Sequence, residues 1–419
     1  MSVSQALNHL LSAVTDSPLR GDLSAHEDVP TLEANGRILA ADLISPMNVP
    51  AADNAQMDGY AMCAADVAVA QSTSGTAVSS SVIPQFIISQ RIAAGHIGVP
   101  LERGTVARIF TGAPLPEGAD AVVMQEHCEL IETDKGAAIR LLHAAPNAGA
   151  WVRHCGEDIR TGNVVLTAGT RLRAQELGLA SSIGLANLPV RRKLNVAVFF
   201  TGDELVMPGQ PLPPGALYNS NRYLLSALLH NLGCTLHDYG IVPDSLEATR
   251  AMLRLAAQEN DVVITSGGVS VGEEDHIKPA VEAEGRLNLW QIAVKPGKPL
   301  AFGDVGNAYF LGLPGNPVSG FITFLLFVRP FLLRLQGVHD VTPKSFMLRA
   351  DFSWGKPDKR NEFLRVKMNA HGGLDLFPNQ GPAVLTSTTW GDGLLDNPPE
   401  QVINQGDMVK FIPFSELLY

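Results

Sequence analysis

The chain has 419 residues, 46% of them hydrophobic, which is enough for several domains with cores of their own. Its formal net charge of −11 argues against nucleic-acid binding through a general basic field. Four widely spaced cysteines without a CxxC pair indicate neither a zinc site nor a disulfide framework. Because residues 1–22 lack a signal-peptide pattern and no apolar stretch reaches the ~18–20 residues of a membrane-spanning helix, we expect a soluble cytoplasmic protein.

The first half of the chain is predicted to combine a helix with a β-rich domain. Apolar residues at helical spacing predict a helix over residues 4–14. Residues 71–81 are rich in Ser, Thr, Ala and Gly, and we expect a loose surface loop there. A small β-rich domain over 51–145 is predicted from short apolar runs between Gly and Pro turns, at 82–88, 105–111 and 121–125.

From about residue 191 the sequence alternates between strand and helix patterns. This alternation indicates a parallel sheet with right-handed crossovers, in which ligands bind beyond the carboxyl ends of the strands. The predicted strands are 196–200, 235–242, 262–265 and 309–313, and the predicted helices are 221–231, 245–258, 279–284 and one from 318. After residue 337, four further strand patterns predict a C-terminal β-barrel or sandwich, at 346–352, 363–368, 374–377 and 408–412.

The segment 261–275 carries the strongest chemical signal. A buried strand ends at Gly267-Gly268, where the backbone can approach a ligand closely, and three acidic residues follow, ending with Asp275. Glycine N–H groups suit phosphate oxygens, Ser266 and Ser270 can add hydroxyls, and carboxylates suit Mg²⁺. We therefore predict a phosphate site beside a divalent metal, while an ordinary strand-to-helix turn with solvated acids remains an alternative.

Two more predicted strands end in similar loops, at 201–205 and 313–319. If the sheet is parallel, the three loops lie at the same edge, with Gly315 as a further phosphate donor. Asp203, Glu204 and Asp244 then join Asp275 as candidate metal ligands. For each carboxylate alone, a solvated or helix-capping role is the alternative, notably for Asp203 and Asp275.

Two lysines follow in a proline-stiffened segment. Lys295 and Lys298 stand in Lys-Pro-Gly-Lys-Pro, where proline restricts the backbone and pre-positions the ammonium groups for an oxyanion. The alternative is a basic surface turn. Polar turns of the first half, at 53–61, 110–120 and 153–158, are further candidates, although His154 and Cys155 are adjacent and do not resemble a nucleophile–base pair.

Seven motifs, in this order and spacing, resemble the molybdopterin molybdenumtransferase family, the MoeA type related to the E domain of gephyrin. They are MDGYA (57–61), TGAPLPEGADAVV (111–123), GEDI (156–159), TGDEL (201–205), SGGVSVGEED (266–275), KPGKP (295–299) and LPGNPVS (313–319). The resemblance runs from about residue 5 to 415 and is weakest after 337.

The resemblance implies an Mg²⁺-dependent enzyme that inserts molybdate into adenylylated molybdopterin and releases AMP. It implies an elongated homodimer, with each site shared between the α/β domain of one subunit and the small β domain of the other. It also implies transient contact with an upstream molybdopterin adenylyltransferase and downstream molybdoenzyme chaperones. The implied domains are an N-terminal helix with an elongated linking region (1–50 with 146–185), a small β-rich domain (51–145), a parallel-sheet α/β domain (186–336) and a β-barrel (337–419).

The family pattern and the motif chemistry together give the predicted site. The catalytic candidates are Asp58, Glu204, Asp244 and Asp275, of which Glu204, Asp244 and Asp275 are also the metal ligands. The substrate-binding candidates are Thr111, Arg153, Asp158, Gly267, Gly268, Ser270, Lys295, Lys298, Pro314, Asn316 and Pro317.

Some positions depart from the family pattern. Gln291 replaces a common basic residue, Asn219 an aspartate, Gln56 a small residue and Pro382 a common serine. Three alternatives remain: a molybdopterin adenylyltransferase, against which the long extensions argue, a non-catalytic gephyrin-like scaffold, against which the acidic residues argue, and a tungsten-inserting homologue.

Overall fold

The computed structural model of the chain describes residues 1–15, 25–73, 85–268, 276–297 and 299–418. The described chain divides into two compact units. The larger unit comprises Met1–Ala41, Ala168–Arg173 and Asn187–Tyr419, and the smaller unit comprises Asp42–Thr167 and Ala174–Ala186. The four domain ranges predicted from the sequence are a finer division and stay predictions.

The larger unit begins with helix α1 (Val3–Thr15) and strand β1 (His26–Pro30). Ala6 and Leu10, one turn apart, are fully buried. They pack in the core of this unit, because side chains four residues apart lie on the same helix face. The helix predicted over 4–14 is confirmed.

The smaller unit is built on a mixed β-sheet. Within the described residues, six strands pair in the order β7-β4-β6-β5-β9-β8, and only β5 and β6 are parallel. Short antiparallel pairs join β2 to β11 and β3 to β10. The elements are β2 (Leu43–Ile44), β3 (Asn54–Ala55), β4 (Gly59–Met62), α2 (Ala64–Thr73), β5 (Gln85–Ile92), β6 (Thr105–Ile109), β7 (Ala121–Met124), β8 (Cys128–Thr133), β9 (Gly136–Leu141), β10 (Val152–Arg153), β11 (Val164–Leu166) and α3 (Ala174–Ser182).

Helix α2 corrects one prediction. Residues 71–73, assigned from the sequence to a loose loop, form the last turn of α2. The helix is rich in alanine, which has the highest helix propensity, and this local preference extends through the residues that composition alone indicated as a loop. The rest of the predicted loop, 74–81, lies outside the described residues.

The larger unit continues with an α/β region. Strand β12 pairs antiparallel with β1. The elements are β12 (Asn187–Arg191), β13 (Asn195–Thr201), β14 (Leu205–Val206), β15 (Leu217–Tyr218), α4 (Ser220–Asn231), β16 (Thr235–Val242), α5 (Leu246–Glu259), β17 (Val262–Ser266), α6 (Ile277–Glu284), β18 (Gly285–Gln291), β19 (Val294–Lys295), β20 (Pro299–Val305), β21 (Ala308–Leu313), α7 (Pro317–Thr323) and α8 (Arg329–Leu335), with a π-helical turn at Phe324–Val328.

The central sheet of this region is only partly parallel. Its strands have the order β16-β13-β17-β21-β20-β18 within the described chain. The first four are parallel, whereas β20 and β18 run antiparallel to their neighbours. The prediction of a parallel sheet is therefore confirmed for the strands that bear the motif loops, and the antiparallel strands β20 and β18 at one end of the sheet were not predicted. Antiparallel strands need no helical crossover, so the strand–helix alternation gave no signal for them.

Both faces of this sheet are buried, which explains its nearly unbroken apolar strands. Val196, Val198 and Phe200 of β13 pack in one core cluster with α1, α4 and α7. The alternate residues Ala197 and Phe199 pack in a second cluster with α5 and α6. The two-residue period of the strand thus divides its side chains between two layers of helices.

The C-terminal region is a closed β-barrel, as predicted. Each of its strands pairs with two others, in the cycle β23-β24-β22-β26-β25-β23, within the fully described stretch 299–418. Strand β19 of the α/β region adds a short parallel pairing to β23. The elements are β22 (Phe346–Ala350), β23 (Asn361–Met368), β24 (Gly373–Leu376), α9 (Thr386–Trp390), β25 (Gly393–Asn397) and β26 (Met408–Pro413).

One helical stretch among the described residues, Pro317–Leu335, is long and apolar enough to span a membrane by length and composition, which corrects the expectation that no apolar stretch reaches that length. Its most apolar window is 89% buried inside the protein. Phe324, Phe327 and Phe331 are at most 1% exposed and belong to the main core cluster. The apolar composition is accounted for by packing in the protein core.

We expect Asp261→Ala to destabilise the α/β region. Asp261 accepts two hydrogen bonds from Arg192, at 2.8 and 2.7 Å, and one from the Asn195 backbone at 2.9 Å, with 14% of its side chain exposed. Its loss removes the carboxylate partner of a part-buried guanidinium and the acceptor of a strand N–H, so the free energy of unfolding should fall by roughly 2 kcal/mol. Urea denaturation measures this change. The control is Asp304→Ala, which removes an ion pair to the largely exposed Arg286 and should cost less than about 1 kcal/mol.

Candidate active site

Three loops meet at one edge of the central sheet. In the parallel register, Phe200 of β13 lies beside Ser266 of β17, and Ser266 lies beside Leu313 of β21. The Gly267 N–H donates to the Leu313 carbonyl at 3.1 Å, and Ser266 Oγ donates to the Pro314 carbonyl at 3.1 Å. The predicted convergence of these loops is confirmed by this geometry.

Asn221, in the first turn of α4, holds two of these loops together. Its Nδ2 donates to Ser266 Oγ at 2.9 Å and to the Gly315 carbonyl at 2.7 Å. The Ser266 hydroxyl and the Gly267 N–H, both candidate phosphate donors from the sequence, are thus engaged inside the protein. Both groups therefore fix the turn that places Gly268 beside the site.

Glycine is required at position 267 by both conformation and space. Gly267 has φ of 99°, and a Cβ there would lie 3.1 Å from the Thr201 carbonyl oxygen. Gly268 follows with φ of 65°. These values belong to the left-handed region that other residues rarely adopt, so the pair forms a backbone turn without side chains beside the neighbouring strand end.

The sheet edge opens into a cavity of ≈ 740 Å³. Predicted site residues on its wall are Glu204, Gly267, Gly268, Lys295, Pro314 and Asn316. The remaining lining residues from the α/β region are Pro296, Gly297, Pro299, Gly315 and Ser319. The C-terminal barrel supplies the rest of the wall, with Trp354, Arg360, Gln380, Gly381 and Pro382.

The barrel residues were missed by the sequence reasoning. They lie 35 or more positions beyond the last motif of the α/β region, and periodicity does not show that a barrel covers a sheet edge. The charged run that contains Asp358 and Arg360 was the available signal. Pro382 was noted only as a departure from the family pattern.

Lys295 and Arg360 are the lining cations among the described residues, and carboxylates hold both. Lys295 Nζ lies 2.9 Å from Glu362 and 3.2 Å from Asp358. Arg360 donates to both oxygens of Asp358, each at 2.9 Å. Burial acts to lower the pKa of Lys295, but its hydrogen bonds to Glu362 and Asp358 outweigh this effect and raise the pKa. Lys295 is therefore charged, although it shares that charge with two acids.

Glu362 anchors this cluster within the barrel. It is 1% exposed and accepts a hydrogen bond from Trp354 Nε1 at 2.9 Å. Its backbone lies beside Lys295 in the parallel pairing of β19 with β23. The lysine segment of the α/β region and the barrel are thereby connected by an ion pair and by the strand ladder at the same point.

Two candidate metal ligands follow adjacent parallel strands. Glu204 lies in the turn after β13, and Asp244 comes directly after β16, whose Val242 is the register partner of Thr201. Asp203 occupies the same turn as Glu204, so its predicted proximity to a helix start is wrong. Asp275, Ser270 and Lys298 lie outside the described residues. The described chain contains no cluster of three or more His, Cys, Asp or Glu side chains placed to hold a metal.

The smaller unit brings Asp58 and Thr111 together. Asp58 accepts hydrogen bonds from the Thr111 backbone N–H at 2.8 Å and from its hydroxyl at 2.7 Å. The backbone bond first, and then the hydroxyl bond, lower the pKa of Asp58. Arg153 is an exposed residue of β10, and Asp158 is exposed in a nearby turn.

The side chains of His154 and Cys155 contact different partners, as expected for adjacent residues. His154 Nδ1 lies 3.2 Å from Asp53, and Cys155 Sγ lies 3.2 Å from the Ala51 carbonyl. Asp53 also accepts the Cys155 N–H at 2.7 Å, which is the main cause of the lowered pKa of Asp53.

The positions that depart from the family pattern have structural roles here. The Asn219 side chain caps α4 by accepting the Arg222 N–H, a role that asparagine and aspartate fill equally well. Pro382 accepts the Val318 N–H at 3.0 Å, in the first turn of α7, which begins with Pro317. Gln291 ends β18 and is not a lining residue of the cavity.

Comparison with known proteins gives a consistent result along the chain. Family models described as "MoeA N-terminal region (domain I and II)", "Probable molybdopterin binding domain" and "MoeA C-terminal region (domain IV)" match residues 1–184, 197–334 and 347–414. The chain is 38% identical over 393 residues to a molybdopterin molybdenumtransferase of Haemophilus influenzae, covering 92% of this chain and 93% of the relative. It is 34% identical over 386 residues to molybdopterin molybdenumtransferase 2 of Mycobacterium tuberculosis, covering 89% and 91%.

A solved structure matches over the same extent. The molybdopterin biosynthesis MoeA protein from Pyrococcus horikosii superimposes with a TM-score of 0.78 at 30% identity, covering 99% of both chains.

We expect Thr111→Val to raise the pKa of Asp58 towards its ordinary value. The substitution removes the hydroxyl donor and keeps the backbone N–H, so the pKa should rise without reaching that of a free aspartate. A carboxyl ¹³C NMR titration measures it. Thr133→Val is the control, because the Thr133 hydroxyl donates to the Gly136 carbonyl instead of a carboxylate. An unchanged pKa of Asp58 in Thr111→Val would contradict this interpretation.

Proposed function

The chain belongs to the molybdopterin molybdenumtransferase family, a transferase family of molybdenum cofactor biosynthesis, and on this premise we propose that it inserts molybdate into adenylylated molybdopterin with release of AMP. The observation that carries the proposal is the cavity of ≈ 740 Å³, because one space is lined by the Gly267-Gly268 turn and by the cations Lys295 and Arg360. The glycine turn is suited to phosphate groups, and the two cations are suited to an oxyanion.

The glycine turn provides the place for the phosphate groups. Gly267 and Gly268 lack side chains and lie at the carboxyl end of a parallel strand, where α/β sheets bind ligands. The hydrogen bond from Asn221 to the Ser266 hydroxyl fixes this turn in place. A pre-formed backbone surface loses little entropy when a phosphate binds, and therefore favours specific binding.

The two lining cations provide the place for molybdate. Lys295 presents a compact ammonium and Arg360 a planar guanidinium, both fixed by Asp358. Such fixed cations can stabilise charge that develops during transfer without reorganising at that moment. Lys298 is proposed to add to them on the basis of the sequence motif.

We propose that carboxylates after the parallel strands hold a magnesium ion. Mg²⁺ typically takes one or two carboxylates and completes its shell with water and substrate phosphates, and the proposed ligands are Glu204, Asp244 and Asp275. When bound, the ion acts as a Lewis acid on a phosphoryl oxygen. Glu204 lines the cavity, and its turn is closed by the Leu205 N–H, which donates to the Gly202 carbonyl at 3.0 Å.

The alternatives are less well supported. The curated relatives that cover most of the chain are named as molybdenumtransferases, which does not favour a non-catalytic scaffold or a tungsten-inserting homologue. Glu204, at the cavity wall, is an acidic residue for which a scaffold has no use.

We also propose that the chain acts in the cytoplasm as a homodimer with shared sites. Asp58 and Thr111 form an ordered polar pair, and Arg153 and Asp158 are exposed. In the family pattern these residues complete the partner subunit's site. Transient contacts with an upstream adenylyltransferase and with molybdoenzyme chaperones belong to the same proposal.

The reaction is tested by supplying adenylylated molybdopterin, Mg²⁺ and molybdate and measuring AMP release. We expect release by the unaltered chain and a loss of about 100-fold in kcat for Glu204→Gln, which removes one charged group from the site. Asp203→Asn is the matched control, because Asp203 shares the turn but is not a lining residue, and it should keep activity within about threefold. AMP at the level of an enzyme-free blank would refute the proposal.

The shared site is tested with mixed dimers. Subunits carrying Asp58→Ala and subunits carrying Glu204→Gln are given different tags, and the heterodimer is purified through both. If each site uses Asp58 of one subunit and Glu204 of the other, one of the two sites is intact and about half of the activity returns. Both homodimers of the variants should stay inactive. A heterodimer as inactive as its parents, or a monomer by light scattering, argues against sharing.

A further inference from the structure

Two arginines lie side by side on the sheet of the smaller unit. Arg91 of β5 and Arg108 of β6 are register partners in the parallel pairing of these strands. Neighbouring strands are about 4.8 Å apart, so the side chains of register partners stand next to one another on one face of the sheet. Both guanidinium carbons lie over the ring of Phe110, at 4.5 and 4.6 Å from its centroid. Two positive charges are therefore held against one aromatic ring.

Arg108 is fixed in place by neutral groups. Its Nη1 donates to the Gly59 carbonyl at 2.9 Å, and its Nη2 donates to Gln125 Oε1 at 2.5 Å. On its other side, the ring centroid of its register partner Tyr60 lies 5.2 Å from the guanidinium carbon. Glu126 is connected to this group only through Gln125, whose Nε2 donates to the Glu126 carboxylate at 3.2 Å. Within the described chain no carboxylate forms an ion pair with Arg108, so its charge is fixed but not neutralised.

Arg91 is exposed, and its guanidinium forms no hydrogen bond or ion pair within the described ranges. A guanidinium carries five N–H donors in a planar fork, which matches two oxygens of a phosphate group. Like charges directly opposite one another in a sheet are unfavourable, and the contact with the Phe110 ring offsets only part of that repulsion. An anion bound between the two guanidinium groups relieves the repulsion and uses the donors of Arg91.

The arginine pair lies beside two residues of the predicted site. Gln125, which accepts from Arg108, donates its backbone N–H to the Asp58 carbonyl at 3.1 Å. Phe110 directly precedes Thr111, whose N–H and hydroxyl bind the Asp58 carboxylate. These two bonds lower the pKa of Asp58, and the charge of Arg108 adds to their effect. The pair and the Asp58–Thr111 contact therefore form one continuous polar surface of the smaller unit.

We propose that Arg91 and Arg108 form a binding site for a phosphate monoester, in which Arg91 contacts the phosphate oxygens and Arg108 supplies a fixed second charge. A phosphate monoester carries about two negative charges near neutral pH, which matches two guanidinium groups. The inference rests on the proposed function in one respect, namely that the monoester is AMP, the product released in the proposed reaction.

The first test is chemical protection in the unaltered full-length protein. Phenylglyoxal modifies accessible guanidinium groups, and mass spectrometry of peptides gives the modification rate at each arginine. Because an occupied site is protected by mass action, AMP at about ten times its Kd should slow the modification of Arg91 about tenfold. Inorganic phosphate is the second probe, at the same ionic strength. Equal protection by both probes means that the phosphate group alone is bound, and stronger protection by AMP means that its ring adds contacts; either result supports the proposal.

Arg103 is the matched control for this test. It belongs to the same unit, its side chain is 94% exposed, and its closest carboxylate contact is 3.9 Å to Asp66. Its modification rate should change by less than about twofold when AMP is added, since no second arginine is its register partner. Equal protection of Arg91 and Arg103, or no protection of Arg91 by either probe, overturns the proposal.

Two variants separate binding from a structural role. Arg91→Gln removes the charge, whereas Arg91→Lys keeps the charge and loses the planar fork. The Kd for AMP is measured locally, from the ¹⁵N–¹H resonance of Arg108 Nε, so that AMP bound elsewhere does not contribute. We expect this Kd to rise about tenfold for glutamine and about threefold for lysine. The Tm of ligand-free Arg91→Gln should stay the same or rise, because the substitution removes a like-charge contact.

The outcomes separate this inference from the proposed function. Protection of Arg91 in a chain that releases no AMP from adenylylated molybdopterin supports the inference and refutes the reaction. AMP release by a chain whose Arg91 is not protected overturns the inference and leaves the reaction in place. A lower Tm of ligand-free Arg91→Gln together with an unchanged Kd for AMP assigns Arg91 a structural role and overturns the inference.

Discussion

The parallel register of β13, β17 and β21 is the constraint on which the site depends. The three strands end at one edge, so the loops that follow them lie side by side. Ser266 donates to the Pro314 carbonyl and Gly267 to the Leu313 carbonyl, which holds the loops after β17 and β21 together. Asn221 adds a clamp from α4. A slip of one residue in this register would turn each strand's side chains to the opposite helix layer, so the two buried faces of the sheet also fix the geometry of the site.

The barrel completes a site that the sheet edge begins. Strand β19 pairs with β23, and at the same point Lys295 forms an ion pair with the buried Glu362. The strand pairing fixes the position of the Lys295 backbone, and the ion pair fixes the direction of its side chain. Removing Lys295 would leave the buried Glu362 carboxylate in a low dielectric without this cation, so the contact ties the packing of the barrel to the cavity it lines.

The sequence predicted the elements whose patterns are local. Strand β16 and helix α5 were located within a residue, because an apolar run and an amphipathic period mark them and Ser245 caps the helix. The barrel and the loop convergence were also predicted. Strands β18 and β20 and helix α2 were missed, since an antiparallel edge needs no crossover and an alanine-rich helix resembles a small-residue loop in composition. The position of Arg360 and of residues 380–382 at the cavity depends on tertiary packing, which no local sequence period reports.

The pairing of cations with carboxylates explains how such a cavity can both bind and release. A substrate with several negative charges would be held too firmly by bare cations, and the products of its cleavage also carry charge. Asp358 and Glu362 fix Lys295 and Arg360 in place while offsetting their charge, so these groups contribute geometry more than net attraction.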